Sequence, residues 1–433
     1  MKKQTKKQKL QPLIFAYGIT LGCDPEFFFT GAGGGVVGSE KVLPKDGIEV
    51  GNSPYAYDED ASKFVVDGVQ AELNPAPNTC RANLANEISR CFRKLASSLK
   101  NGEKKIGVSF APVVNISQAE LDSLSEKSKV FGCAPSNNVN FDTKKAKIKV
   151  NPKKYLKRSA GGHIHLGCDR WDDDNSYVYD ENTDREIRTR KIATVLRRPK
   201  ALVPILDLVV ANTCVLLDRD PNNVERRKNY GRVGEYRRKT YGIEYRTLSN
   251  FWLRSYPLMS FVMGLVRQAV HMVQQSRKGN DYVAALLAAV PREDVIKAVQ
   301  ENDFDLAYCN FKKIQKILVA SGQGNDYDYP ISNFTIGNFH HFVKRIQQYG
   351  LDYWFDKDSF SHWCKLPDGH DKGWEAMAGS HGRISADRNA DQKGKVLNKR
   401  NAKKLPRIDL NAVAVIPKRQ RINRPAPVVA LED

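Results

Sequence analysis

Two short stretches of the chain alternate apolar residues with ligand-type residues: GGHIHLG at 161–167 and GIEYRTLSNFWL at 242–253. Side chains two apart on a strand share a face. Strands at these places set His163 beside His165 with Ile164 and Leu166 behind them, and Glu244 beside Arg246 with Ile243 and Tyr245 opposite. The same period in KFVVDGVQAELNP (63–75) predicts a strand with Val69, Ala71 and Leu73 on one face and Gln70, Glu72 and Asn74 on the other. LIFAYGITLG (13–22) reads as an opening strand that ends at CDPEFFF, and VSFAPVVNIS as another. At 80–100 the period changes: Leu84, Ile88, Cys91, Phe92 and Leu95 recur at helical spacing. Helices are also predicted at 201–217 and 256–275, bracketing a polar, arginine-rich stretch at 218–241. The Gly-rich TGAGGGVVGSE lacks the lysine and the strand–helix setting of a phosphate loop and reads as a flexible hairpin or loop. Strands and helices mix without regular βαβ alternation, which predicts an α+β fold.

At 433 residues the chain has room for two or three domains, or for one large domain with extensions. The pattern divides it into a basic tail (1–12), a core (13–275), a mostly helical continuation (276–375) and a second basic tail (376–433). No run approaches the roughly 18 apolar residues of a membrane span. MKKQTKKQKLQP has no apolar segment of the signal-peptide kind. A cytoplasmic protein without a membrane partner is therefore expected. Its eight cysteines are scattered with no CxxC pair, which argues against a zinc ribbon and against a disulfide framework.

Locating the net charge of +20 changes its meaning. Residues 1–10 contribute +5 and residues 381–433 contribute +8, leaving +7 for everything between. Solvated, disordered tails account for this, with weak contact to a polyanion as the sharper alternative. No aromatic interleaving or nucleic-acid motif supports that alternative.

The carboxylates stand in four places: Asp24 and Glu26 in GCDPEFF, Glu72 in QAELNP, Asp218 in LLDRD and Glu244 in IEYR. Hard oxygen donors suit Mg²⁺, which carboxylates and substrate phosphates often share. Arginine forks bind phosphate oxygens bidentately, and Arg226, Arg227, Arg232, Arg237, Arg238 and Arg246 are all at hand. Each feature has an ordinary counterpart: a same-face ion pair for Glu244 and Arg246, half-buried strand residues for the histidines, a helix end for Asp218. Their combination points to a site for a metal-bound nucleoside triphosphate.

The ordered series GCDPEFF, DGVQAELNP, GGHIHLG, YGRVGEYR and YGIEYRTLSNFWL, over about residues 15–260, resembles the phage-type carboxylate–amine (COOH–NH2) ligases, an amidoligase family with a glutamine-synthetase-like catalytic fold. The resemblance implies a curved antiparallel sheet with the active site on its concave face and helices packed behind. It implies ATP-dependent joining of a carboxylate substrate to an amine substrate, a peptide or protein among the candidates, through an acyl phosphate. Two or more Mg²⁺ ions are implied, with Mn²⁺ as a substitute, and homo-oligomers are compatible with the fold. Carried over by motif, Asp24 and Glu26 resemble acids serving different ions, and Glu72 resembles the acid that shares an ion with Glu26. His163 matches a metal-binding histidine and His165 its neighbour closer to the nucleotide. Glu244 resembles the acid completing the second ion's shell, and Arg246 its phosphate-contacting partner. Arg237 and Arg232 resemble arginines that stabilise the transferred phosphoryl group. Two departures stand out. The first acid is Asp where the family pattern has Glu. The third acid of the first site is expected shortly after Glu72, where NPAPNTCRAN offers none and Glu87 falls on the helix.

Two rivals are a metal-dependent hydrolase using His163, His165 and nearby acids, and a non-catalytic nucleotide- or nucleic-acid-binding protein. The hydrolase lacks a third compact His or Asp motif downstream and leaves the arginines idle.

Overall fold

A strand bent in its middle organises the molecule. In the computed structural model, which describes residues 19–54, 61–78, 81–100, 105–131, 136–141, 151–168, 177–180, 185–188, 195–218, 220–275, 282–322 and 359–365, the chain opens with β1 (Ile19–Cys23), turns through Asp24–Pro25 and continues as β2 (Glu26–Thr30). Both basic tails lie outside the described residues, as do 13–18 of the predicted opening strand. The Gly-rich segment folds back as a hairpin, with β3 (Val36–Val37) paired to β2. β4 (Ile48–Asn52), β5 (Ala61–Asp67) and β6 (Gln70–Asn74) follow, then helix α1 (Arg81–Lys100).

The predicted single strand over 63–75 is thus a hairpin. Gly68 takes φ 66°, a left-handed conformation that costs glycine nothing, so β5 turns back on β6 with Asp67 opposite Gln70. VSFAPVVNIS is likewise two strands: β7 (Gly107–Ser109) pairs with β2, and β8 (Val113–Asn115) joins another ladder. Pro112, which has no N–H to give a ladder, stands between them. Two short serine-capped helices, α2 (Gln118–Asp122) and α3 (Glu126–Lys129), lead to β9 (Asn137–Asn138) and to β10 (Lys157–Ser159), the partner of β8. β11 (Ile164–Cys168) carries the second histidine; β12 (Tyr177–Asp180) and β13 (Arg185–Arg188) form a separate ladder.

The predicted helix at 201–217 is α4 (Pro199–Leu206), a π-helical turn at Asp207–Ala211, and α5 (Asn212–Val215). The polar stretch 218–241 contains α6 (Asn222–Asn229) and β14 (Glu235–Lys239), which is paired in the sheet beside β15 (Gly242–Tyr245). The predicted helix at 256–275 is α7 (Tyr256–Gln275). α8 (Tyr282–Ala289), α9 (Arg292–Gln300), α10 (Phe304–Gly322) and α11 (Ser359–Lys365) follow.

Pairing follows the order β1-β11-β15-β14-β9 on one side and β3-β2-β6-β5-β4 on the other. The bent strand joins the two. Beyond β1, Asp24 N–H and Glu26 N–H donate to the His163 and Gly161 carbonyls, while Leu73 N–H donates to Pro25 O. The result is a curled, half-barrel antiparallel sheet in an α+β fold. Ile19, Leu21, Phe27, Phe29, Phe64, Leu73, Ile164, Leu166, Ile243 and Tyr245 are buried on one face against helices that include α1, α4 and α7. Phe27 centres an aromatic cluster, its ring 5.5–6.2 Å from Phe29, Phe64, Phe92 and Phe110. Because side chains alternate, the intervening residues Glu26, Glu72, His165 and Glu244 are committed to the other face. Among the described residues no helix is long and apolar enough to cross a membrane.

Candidate active site

Register lines up the polar face. Gly22 on β1 stands opposite His165 on β11, His165 opposite Glu244 on β15, and Glu244 opposite Arg237 on β14. On the other arm Glu26 stands opposite Glu72, and the hairpin brings Asp67 onto the same face. The glycines before the histidines make close approach feasible. A Cβ on Gly161 would overlap the His163 ring, and one on Gly162 would overlap Ser249 O and Trp252 Nε1. The rest of GIEYRTLSNFWL is scaffold: Asn250 Nδ2 donates to Glu26 O (2.9 Å) and Trp252 Nε1 to Gly162 O (3.2 Å).

Two groups of candidate ligands result. Asp24, His163 and Glu244 offer three donor atoms within 4.8 Å of one another, and so do Glu26, Asp67 and Glu72. In the first group His163 Nδ1 lies 3.0 Å from Asp24 Oδ1 and 3.6 Å from Glu244 Oε1, and His165 Nε2 lies 3.1 Å from Asp24 Oδ2. Burial works against the charge of Asp24, but the imidazoles of His165 and His163 outweigh it and hold the carboxyl well below its ordinary range. Burial and the neighbouring Arg246 push His163 down to about 4, against the pull of Asp24 and Glu244, so its ring is neutral near pH 7.

The second group is crowded with like charge. Burial, then Asp67, pushes Glu26 up to about 8 despite the Tyr230 hydroxyl and the Gly161 N–H that it accepts. Burial also lifts Glu72 well above its ordinary value, reinforced by Asp24, Glu26 and Asp67. Asp67 is raised by burial and by Asp24, against Arg246 and Arg237. Either retained protons or a bound cation relieves such crowding.

The cations divide by depth. Arg246 is buried and donates to Glu244 Oε1. Arg237 lies 3.5 Å from the same oxygen and Lys239 Nζ 2.9 Å from Glu244 Oε2, and both reach the open side, with side chains 19 % and 32 % exposed. Arg232 is turned elsewhere: it donates to Lys228 O and lies over the Phe141 ring. Arg226 and Arg227 are buried ties rather than phosphate forks. Arg226 donates to Ala160 O, Thr247 O and Leu248 O, and Arg227 to Asn302 Oδ1. Asp218 accepts from the Ser249 hydroxyl. Glu87 holds Ser53, Ser62 and Arg90, away from the acids.

Asp67, Tyr230, Lys239 and Tyr241 join the site without having been singled out in the sequence. An Asp-Gly pair between two apolar alternating runs is a hairpin signal, and it would have placed Asp67 beside Glu72. Tyr230 bridges Glu26 and His163, and the Tyr241 hydroxyl lies 2.7 Å from His165 Nδ1. Neither has a local pattern that announces this.

Among curated proteins, no match to the chain is found. A family model does match residues 194–303, the segment that holds Tyr230, Arg237, Glu244 and Arg246; Asp24, Glu26, Asp67, Glu72 and His163 precede it. The family is that of the phage phiEco32-like COOH-NH2 ligases of type 2, the same kind of ligase that the ordered motifs resemble.

Proposed function

We propose that the chain is an ATP-dependent carboxylate–amine ligase that works through an acyl phosphate. The observation that carries this is the pairing, on one sheet face, of an all-oxygen triad (Glu26, Asp67, Glu72) with a mixed triad (Asp24, His163, Glu244), with Arg237 and Lys239 at the open edge. The ligase family match supports the joining reaction.

The donor sets suit Mg²⁺ or Mn²⁺. Three mutually repelling carboxylates fit a hard cation, and two carboxylates with one neutral imidazole nitrogen fit a second. Glu26, Asp67 and Glu72 would hold one ion, and Asp24, His163 and Glu244 the other. When bound, such ions offset phosphate charge that would otherwise repel the incoming carboxylate. Arg246, seated behind Glu244, donates to that carboxylate and orients it. Arg237 and Lys239 face the open side and are the groups to meet phosphate oxygens, including those of the group in transfer. His165, fixed by Tyr241, packs beside Asp24. A carboxylate is a poor electrophile, and phosphorylation turns one of its oxygens into a leaving group for the amine to displace.

The test is ATP turnover with Mg²⁺ across a panel of carboxylates and amines. Substrate-stimulated release of ADP and phosphate, reduced at least about 100-fold by Glu244→Ala, is the expected result. A wild-type protein that neither turns over nor binds Mg·ATP would overturn the proposal.

A further inference from the structure

Tyr230 sits between the two triads. Its hydroxyl contacts Glu26 Oε1 on one side and lies 2.8 Å from His163 Nε2 on the other. The ring is held in place independently of the hydroxyl, edge-on to His163 (centroids 5.4 Å apart) and with the Arg226 and Arg246 guanidinium carbons 5.2 and 5.4 Å from its centroid. We infer that Tyr230 is a positioning residue that couples the two cation sites by bridging one member of each. This rests on the cation-binding reading above.

The geometry carries this. The hydroxyl meets one member of each triad, Glu26 and His163. Holding Nε2 fixes the His163 ring, and with it the aim of Nδ1, the nitrogen that faces Asp24 Oδ1 and Glu244 Oε1. A shift of Glu26 in its own triad is thereby passed to the ring that serves the other. Partners that fix the second nitrogen of a ligating histidine commonly account for 10–100-fold in metal affinity.

Tyr230→Phe keeps the ring and removes only the hydroxyl. The measurement is Mn²⁺ titration followed by electron paramagnetic resonance, with electron spin echo modulation to detect nitrogen bound to manganese. His163→Ala marks which part of the nitrogen signal belongs to His163. Wild type is expected to show that signal. Tyr230→Phe is expected to bind Mn²⁺ at the histidine triad roughly 10-fold or more weakly, with the nitrogen signal diminished at equal Mn²⁺. Unchanged affinity and an unchanged signal in Tyr230→Phe would overturn the inference. A wild type that binds no Mn²⁺ would instead overturn the cation reading beneath it.

Discussion

At the scale of single residues, the site stores electrostatic conflict that the proposed cation would relieve. Glu26 has an ordinary value of 4.5 and stands at about 8 in the fold, and Glu72 and Asp67 are displaced in the same direction. A group whose folded value is raised contributes stability that is complete below its unfolded value and is lost as pH rises through the folded one. Metal-chelated protein is therefore expected to lose melting temperature as pH climbs from about 6.5 to 8, above the range in which the lowered His163 works the other way, and saturating Mg²⁺ to flatten that slope. Identical slopes with and without Mg²⁺ would contradict the assignment of Glu26, Asp67 and Glu72 to one ion. The glycines make a second residue-scale expectation. Gly162→Ala puts a methyl group against the Ser249 carbonyl and the Trp252 ring, neither of which can rotate away. A loss of roughly 1–3 kcal/mol in denaturant unfolding is expected. These residues also mark the reach of the sequence. Period-two alternation sorts His163, His165, Glu244, Glu26 and Glu72 onto a polar face because that rule is local. Tyr230 escapes it, since its partners Glu26 and His163 lie 204 and 67 residues away.

At the scale of elements, turns and anchors decide where the strands' side chains arrive. Read as one strand, 63–75 leaves Glu72 without a third acid; folded at Gly68, it returns Asp67 to the same face. Alternation survives on each arm of the hairpin, so the buried residues are right while the topology is not. A comparable device lies behind the sheet. The π-helical turn after α4 directs buried Asp207 toward the strands, where it accepts from the Tyr245 hydroxyl (2.8 Å), the Gly234 N–H (3.3 Å) and Arg292 of α9 (2.6 Å). Sequence periodicity yields the helix but not the extra residue that turns Asp207 inward. Asp207→Ala is expected to destabilise by about 3–5 kcal/mol, because it leaves Arg292 and the Tyr245 hydroxyl without their shared acceptor. Thermal unfolding measures this directly, and a loss below about 1 kcal/mol would show that the anchor is dispensable.

At the scale of the whole molecule, one bent strand makes a single curled sheet from two arms and gives each arm one group of ligands. The break at Asp24–Pro25 places Asp24 with the histidine arm and Glu26 with the Glu72 arm, so two acids two residues apart serve different clusters. The family match at 194–303 covers only the Arg237 and Glu244 side of this arrangement; the fold supplies the other side. The central claim concerns the bond that is made and broken. The most direct measurement uses the carboxylate that stimulates turnover, labelled with ¹⁸O in its carboxyl group, with ATP, Mg²⁺ and the amine, and follows the phosphorus products. An acyl phosphate predicts ADP together with inorganic phosphate carrying one ¹⁸O from the carboxylate. Pyrophosphate together with ¹⁸O-labelled AMP would contradict it and assign the reaction to adenylation.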